Sequence, residues 1–102
     1  MTESDKRYSC EAQQRILALI DRLTGYEVFG ISTKDLAQRM DASQATIYRD
    51  MVNLQLSGWA EQLDDGRWRL CVNAARKLRR INDGINAALA KVNEARRDYQ
   101  EV

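Results

Sequence analysis

The run Ser43-Gln44-Ala45-Thr46-Ile47-Tyr48-Arg49 carries the most directed side-chain chemistry in this 102-residue chain. A glutamine can exchange two hydrogen bonds with an adenine edge, an arginine can donate two to guanine, and a threonine can meet a phosphate or a thymine methyl. Each bidentate pair is worth about 1 to 3 kcal/mol against the wrong base. Ser43 is an N-cap residue type, able to accept from the amide of Ala45 or Thr46. Gln44, Ala45, Thr46, Tyr48 and Arg49 then fall on the first turns of a helix. In a helix laid along the major groove, those turns reach base edges and phosphates. Tyr48 suits a backbone contact, and Asn53, one or two turns on, suits phosphate. The same residue types also cover solvated helix faces, so the reading depends on the elements around them.

Those elements can be read from spacing. Ser32-Thr33-Lys34-Asp35 follows capping-box spacing with Asp in place of Glu or Gln, and opens a helix whose inner face is Leu36, Ala37 and Met40. Asp41-Ala42 makes the turn. Beyond Ser43, the residues Ile47, Met51 and Leu54 point inward at i, i+4 and i+7. Gly58 stops this helix, and Trp59 is expected to pack under a hairpin of residues 59–63 and 67–72 that reverses at Asp64-Asp65-Gly66. In its second strand Trp68, Leu70 and Val72 alternate with Arg67, Arg69 and Cys71. Helix, turn, helix and hairpin in this order predict a mainly α fold with a small β-hairpin wing: a winged helix-turn-helix followed by a long C-terminal helix. Arg67 and Arg69 would lie beside the adjacent minor groove or its phosphates, while Asp64 and Asp65, which phosphate repels, are turn chemistry.

Upstream, residues 1–8 read as a flexible N-terminus. Ser9 is expected to cap a support helix with Ile16, Leu19, Ile20 and Leu23 on one stripe, ended by Thr24-Gly25. Residues 26–31 are β-branched and aromatic enough to add one strand beside the hairpin. Residues 9–72 are thus expected to form a DNA-binding domain.

Residues 73–102 read as a dimerisation helix capped by Asn73. Leu78, Ile81, Ile85, Ala88, Val92, Ala95, Tyr99 and Val102 recur at alternating spacings of three and four, a heptad seam widened by Leu89. A domain this small cannot cover such a stripe, so a homodimer is expected. Asn82-Asp83-Gly84 is turn-like, and the helix either breaks there or continues. A parallel pair would set Lys91 against Arg96, which favours an antiparallel or more complex arrangement in which Ala88 and Ala95 allow close approach.

Net charge is +1, but residues 1–66 carry 7 basic and 11 acidic side chains and residues 67–102 carry 9 and 4. The run Arg76-Lys77-Leu78-Arg79-Arg80 either meets phosphate or forms a solvated face. Cys10 and Cys71 fit no metal-ligand spacing and histidine is absent, so no metal or cofactor is expected; a disulfide between them is allowed but not required, and the preferred reading is two reduced thiols with Cys71 packed at a strand end. With no phosphate loop and no nucleophile beside a base, an enzyme is not expected. No apolar run reaches the roughly 20 residues of a membrane span and no signal-peptide core opens the chain, so no membrane is expected and the location is read as cytoplasmic.

The runs Thr33-Lys34-Asp35-Leu36-Ala37, Ser43 to Arg49, Leu54, Gly58-Trp59-Ala60-Glu61 and Asp64-Asp65-Gly66-Arg67-Trp68-Arg69-Leu70 resemble the DNA-binding domain of isocitrate-lyase-regulator (IclR) type transcription factors. The likeness covers roughly residues 10–72. It implies a dimeric regulator on a palindromic operator, with Gln44, Thr46, Tyr48 and Arg49 meeting double-stranded DNA. Members of that family usually continue into a large ligand-sensing domain, which this sequence lacks, so a small-molecule effector is not supported. Leu56 also stands where such domains tend to carry a polar residue, which favours a protein contact on that side. The expectation is a sequence-specific dimeric repressor. The alternative is a protein-interaction module that uses the winged-helix scaffold and the C-terminal helix.

Overall fold

The computed structural model describes residues 2–101. It divides into two compact units, one through Cys71 and one from Val72 onward. The first contains helices α1 (Glu3–Tyr8), α2 (Glu11–Leu23), α3 (Thr33–Met40) and α4 (Gln44–Leu56), then strands β1 (Ala60–Gln62) and β2 (Trp68–Leu70). The second is helix α5 (Val72–Gln100). The fold is mainly helical with one small antiparallel sheet and a long C-terminal helix, as the sequence predicts at that level.

The core follows the spacing. Leu19 and Leu23 of α2, Leu36 and Ala37 of α3, and Ile47, Met51 and Leu54 of α4 are buried together with Ile31, Ala60 and Trp68. Ile16, Ile20, Met40 and Trp59 pack at the margin of this cluster. Trp68 is fully buried, and its indole Nε1 donates to Thr33 Oγ1 at 3.0 Å, fastening β2 to the first turn of α3.

The N-terminal stretch, read from the sequence as flexible, contains a short exposed helix. Thr2 Oγ1 accepts from the Asp5 amide at 3.2 Å and the Asp5 carboxylate accepts from the Thr2 amide at 3.1 Å, a reciprocal capping box that opens α1. Ser9 closes α1 rather than capping α2: its amide donates to the Asp5 and Lys6 carbonyls and its hydroxyl to the Lys6 carbonyl at 3.0 Å. Cys10 therefore occupies the N-cap of α2, with no side-chain bond.

Residues 26–31 do not form a strand. A turn within them, closed by the Gly30 amide on the Tyr26 carbonyl at 2.8 Å, leaves Ile31 alone to bridge Trp68. The hairpin is shorter than expected, pairing Ala60 with Leu70, Glu61 with Arg69 and Gln62 with Trp68. Val72 belongs to α5 and is exposed instead of continuing the apolar strand face.

Helix α5 starts at Val72, so Asn73 lies inside its first turn, where its Oδ1 accepts from Arg76 at 3.3 Å, and does not cap it. It runs unbroken through Asn82-Asp83-Gly84. Of the two alternatives the sequence left open the helix continues, because one glycine costs it only about 1 kcal/mol, which the 28 other residues of this helix outweigh. Leu78, Ile81, Ile85, Leu89, Val92 and Tyr99 are each more than half exposed, and Ala88 and Ala95 are exposed with them. Val102, the last seam position, lies outside the described residues. No helix among the described residues is long and apolar enough to cross a membrane.

Candidate nucleic-acid interface

Helix α4 begins as its sequence dictates. Ser43 is extended (φ −71°, ψ 151°) and its Oγ accepts from the Thr46 amide at 3.1 Å. The same hydroxyl donates to Thr46 Oγ1 at 2.8 Å, which leaves the Thr46 proton available to an outside acceptor. Asp41 adopts the left-handed conformation at φ 51°, an uncommon state that an aspartate tolerates, and this reverses the chain from α3 into α4. Ala42 donates its amide to the Ala37 carbonyl at 3.0 Å and completes the turn.

With Ile47, Met51 and Leu54 turned inward, Gln44, Ala45, Tyr48 and Arg49 are exposed on the opposite side, with Thr46 half-buried. Thr33, Gln44, Ala45, Tyr48, Arg49 and Val52 line one shallow depression. The structure thus brings four of the expected contact residues, Gln44, Ala45, Tyr48 and Arg49, onto a single face, and α3 packs behind it. Tyr48 is not loose on that face. Its ring meets Trp68 edge-on at 5.8 Å with an interplanar angle of 70°, tying α4 to the hairpin. Asn53 is exposed, and its Nδ2 donates to the Arg49 carbonyl at 2.9 Å.

The two hairpin arginines differ. Arg67 is exposed and 3.7 Å from Asp65, a pair too solvated to hold it. Arg69 is engaged within the chain: its Nε donates to Glu61 Oε1 at 2.7 Å and its Nη1 to the Glu27 carbonyl at 3.2 Å. It therefore joins β2 to β1 and to the turn after α2, a structural role that the alternation of the strand did not reveal. Among the described residues, no three histidine, cysteine or acidic side chains cluster closely enough to hold a metal ion. Cys10 is exposed, and Cys71 is half-buried with its thiol donating to the Gly58 carbonyl at 3.1 Å; both are free.

Sequence reasoning missed the tie that sets the rotation of α4. Arg15 of α2 grips Asp50 with both its Nε and its Nη2, the latter donating to Asp50 Oδ1 at 3.2 Å. The Asp50 hydrogen bond raises the Arg15 guanidinium above its ordinary value. Asp50 is the one charged residue in the buried set among the described residues. Its signal in the sequence was an acid three residues after Ile47, on the helix side that the apolar residues mark as internal. A planar fork on a carboxylate fixes direction as well as distance, so Arg15 holds the face carrying Gln44 and Arg49 at a set angle about the helix axis.

Comparison with family models, with curated proteins and with solved structures finds no match to this chain.

Proposed function

We propose that the first unit is a winged helix-turn-helix that binds double-stranded DNA in a sequence-specific manner, with α4 as the major-groove helix and the β1–β2 hairpin as the wing. One observation carries the reading: the exposed first turns of a serine-capped helix present Gln44, Ala45, Tyr48 and Arg49 together, while Ile47, Met51 and Leu54 anchor that helix in the core. This is the geometry in which side chains reach base edges while a cap and amides meet phosphate. Gln44 reads adenine, Arg49 reads guanine, Thr46 donates to phosphate, and Arg67 adds a phosphate or minor-groove contact. The resemblance to IclR-type domains supports the same assignment. With α5 joining two copies, the protein acts as a dimeric repressor that occupies an operator.

The test is selection of bound sequences from a random duplex library, followed by binding of the selected site to Gln44→Ala and Arg49→Ala. An enriched inverted repeat is expected, with each variant losing about 1 to 3 kcal/mol of discrimination at one base position. Unchanged binding by both variants refutes the assignment. A second reading, a protein-interaction module, is favoured by the excess of acids before residue 67 and by Leu56, which is 80% exposed at the end of α4. Binding that lacks a steep salt dependence and enriches no sequence supports it instead.

A further inference from the structure

The apolar seam of α5 requires a partner, and its residue order carries more than the fact of pairing. Leu78, Ile85, Val92 and Tyr99 form one column and Ile81, Ala88 and Ala95 the other, so from Ile85 onward large and small side chains alternate along the helix. A parallel in-register pair stacks like on like. It sets Ala88 against Ala88 and Ala95 against Ala95, leaving gaps beside crowded Ile85 and Tyr99 layers. It also sets Lys91 beside the partner's Arg96, two like charges at flanking positions.

We propose that α5 pairs with a second copy of itself in antiparallel orientation, centred between residues 86 and 87. This inference rests on the self-association included in the functional reading above, and is independent of whether the first unit binds DNA. In that register Leu78 faces the partner's Ala95, Ile81 faces the partner's Val92, and Ile85 faces the partner's Ala88. Every alanine is filled by a large residue. Lys91 comes to lie across from the partner's Gly84 and Arg96 from the partner's Ala75, which removes the like-charge contact. The centre also falls near the middle of Val72–Gln100, so the exposed seam from Leu78 to Ala95 is paired on both helices.

Neighbouring registers fail on the same grounds. Sliding by one heptad to a centre at residue 90 sets Lys91 against the partner's Lys91. Sliding the other way carries Ala95 past the start of the partner's helix at Val72. The chosen register makes the two helices begin at opposite ends of the pair, about 43 Å apart at 1.5 Å per residue.

The experiment uses the full chain with Cys10→Ser and Cys71→Ser, and spin labels attached singly at cysteines replacing Arg79, Ala90 or Arg97, all off the seam. Sedimentation first establishes whether this protein and its unlabelled parent are dimers. Electron-electron distances are then read for each label. The expected axial separations are about 22 Å at position 79, about 10 Å at 90 and about 31 Å at 97. Ile85→Asp should weaken association by more than tenfold. Equal short distances at all three positions overturn the orientation, and a minimum centred near residue 83 or 90 overturns the register. A parent that stays monomeric overturns the self-association itself, an outcome separate from any result on DNA.

Discussion

Replacing Trp68 by phenylalanine tests the contact on which the hairpin depends. The indole is fully buried and its Nε1 proton reaches Thr33 Oγ1 at 3.0 Å, across 35 residues of chain. Trp68→Phe deletes that hydrogen bond, worth about 0.5 to 1.5 kcal/mol net. It also leaves a void that the neighbours fill only in part, for about 1 to 2 kcal/mol more. The total of about 1.5 to 3.5 kcal/mol compares with about 4 to 10 kcal/mol expected for a unit of this size. With a urea slope near 1 kcal/mol per molar, the unfolding midpoint should fall by about 2 M, followed through the fluorescence of the remaining Trp59. Thr33→Val is the discriminating partner. In the parent it strands a buried indole donor and should cost about 1 to 3 kcal/mol, whereas in the Trp68→Phe background it should cost almost nothing. An equal cost for Thr33→Val in both backgrounds refutes the bond and, with it, the linkage of the hairpin to α3.

Asp50→Ala should lower the midpoint far more than Asp65→Ala, because the Asp50 side chain is only 9% exposed and gripped by Arg15 while Asp65 is 61% exposed; comparable midpoints would contradict this. Gly30→Ala should destabilise strongly, since at φ +73° a Cβ would stand 2.9 Å from Arg67 Cβ and 3.1 Å from the Trp68 carbonyl oxygen, whereas Gly84→Ala, with open space around it, should stabilise α5 by about 1 kcal/mol in thermal melts. Hydrogen bonds from the Thr2 backbone and then its side chain hold Asp5 below its ordinary value of 3.8, so α1 keeps its cap above that value and loses it as the pH falls through the lowered one. Carbon chemical shifts of residues 3–8 should move toward coil values only in that acid range, and fraying that begins near neutrality would overturn the linkage.

What was legible in the sequence was what neighbours along the chain decide. Ser43 needs only Thr46 to cap, and Ile47, Met51 and Leu54 need only the helical period to share a side, so both appear in the structure as expected. The ties that hold these parts to one another join residues far apart: Arg15 with Asp50, Trp68 with Thr33, Arg69 with Glu61 and the Glu27 carbonyl. Periodicity reports which face is internal and is silent on which partner lies across from it. Arg69 shows the cost of that silence, since alternation put it on the polar side of β2 without revealing the carboxylate beside it. Helix α1 escaped for another reason. Six residues with no buried member carry no apolar stripe, and only the Thr2–Asp5 pair announced it.

The hairpin tip is a self-contained loop. Gly66, at φ +89°, donates to the Leu63 carbonyl at 2.9 Å, the Arg67 amide donates to Asp65 at 3.0 Å, and the Leu63 amide donates to the Arg67 carbonyl at 2.7 Å. None of these bonds reaches the core, which holds the hairpin through the buried Trp68 and Ala60. Residues 64–66 can therefore be exchanged or lengthened by descent or by design while the helices stay as they are. The hairpin's reach and charge become an adjustable trait, inherited separately from the fold that carries it.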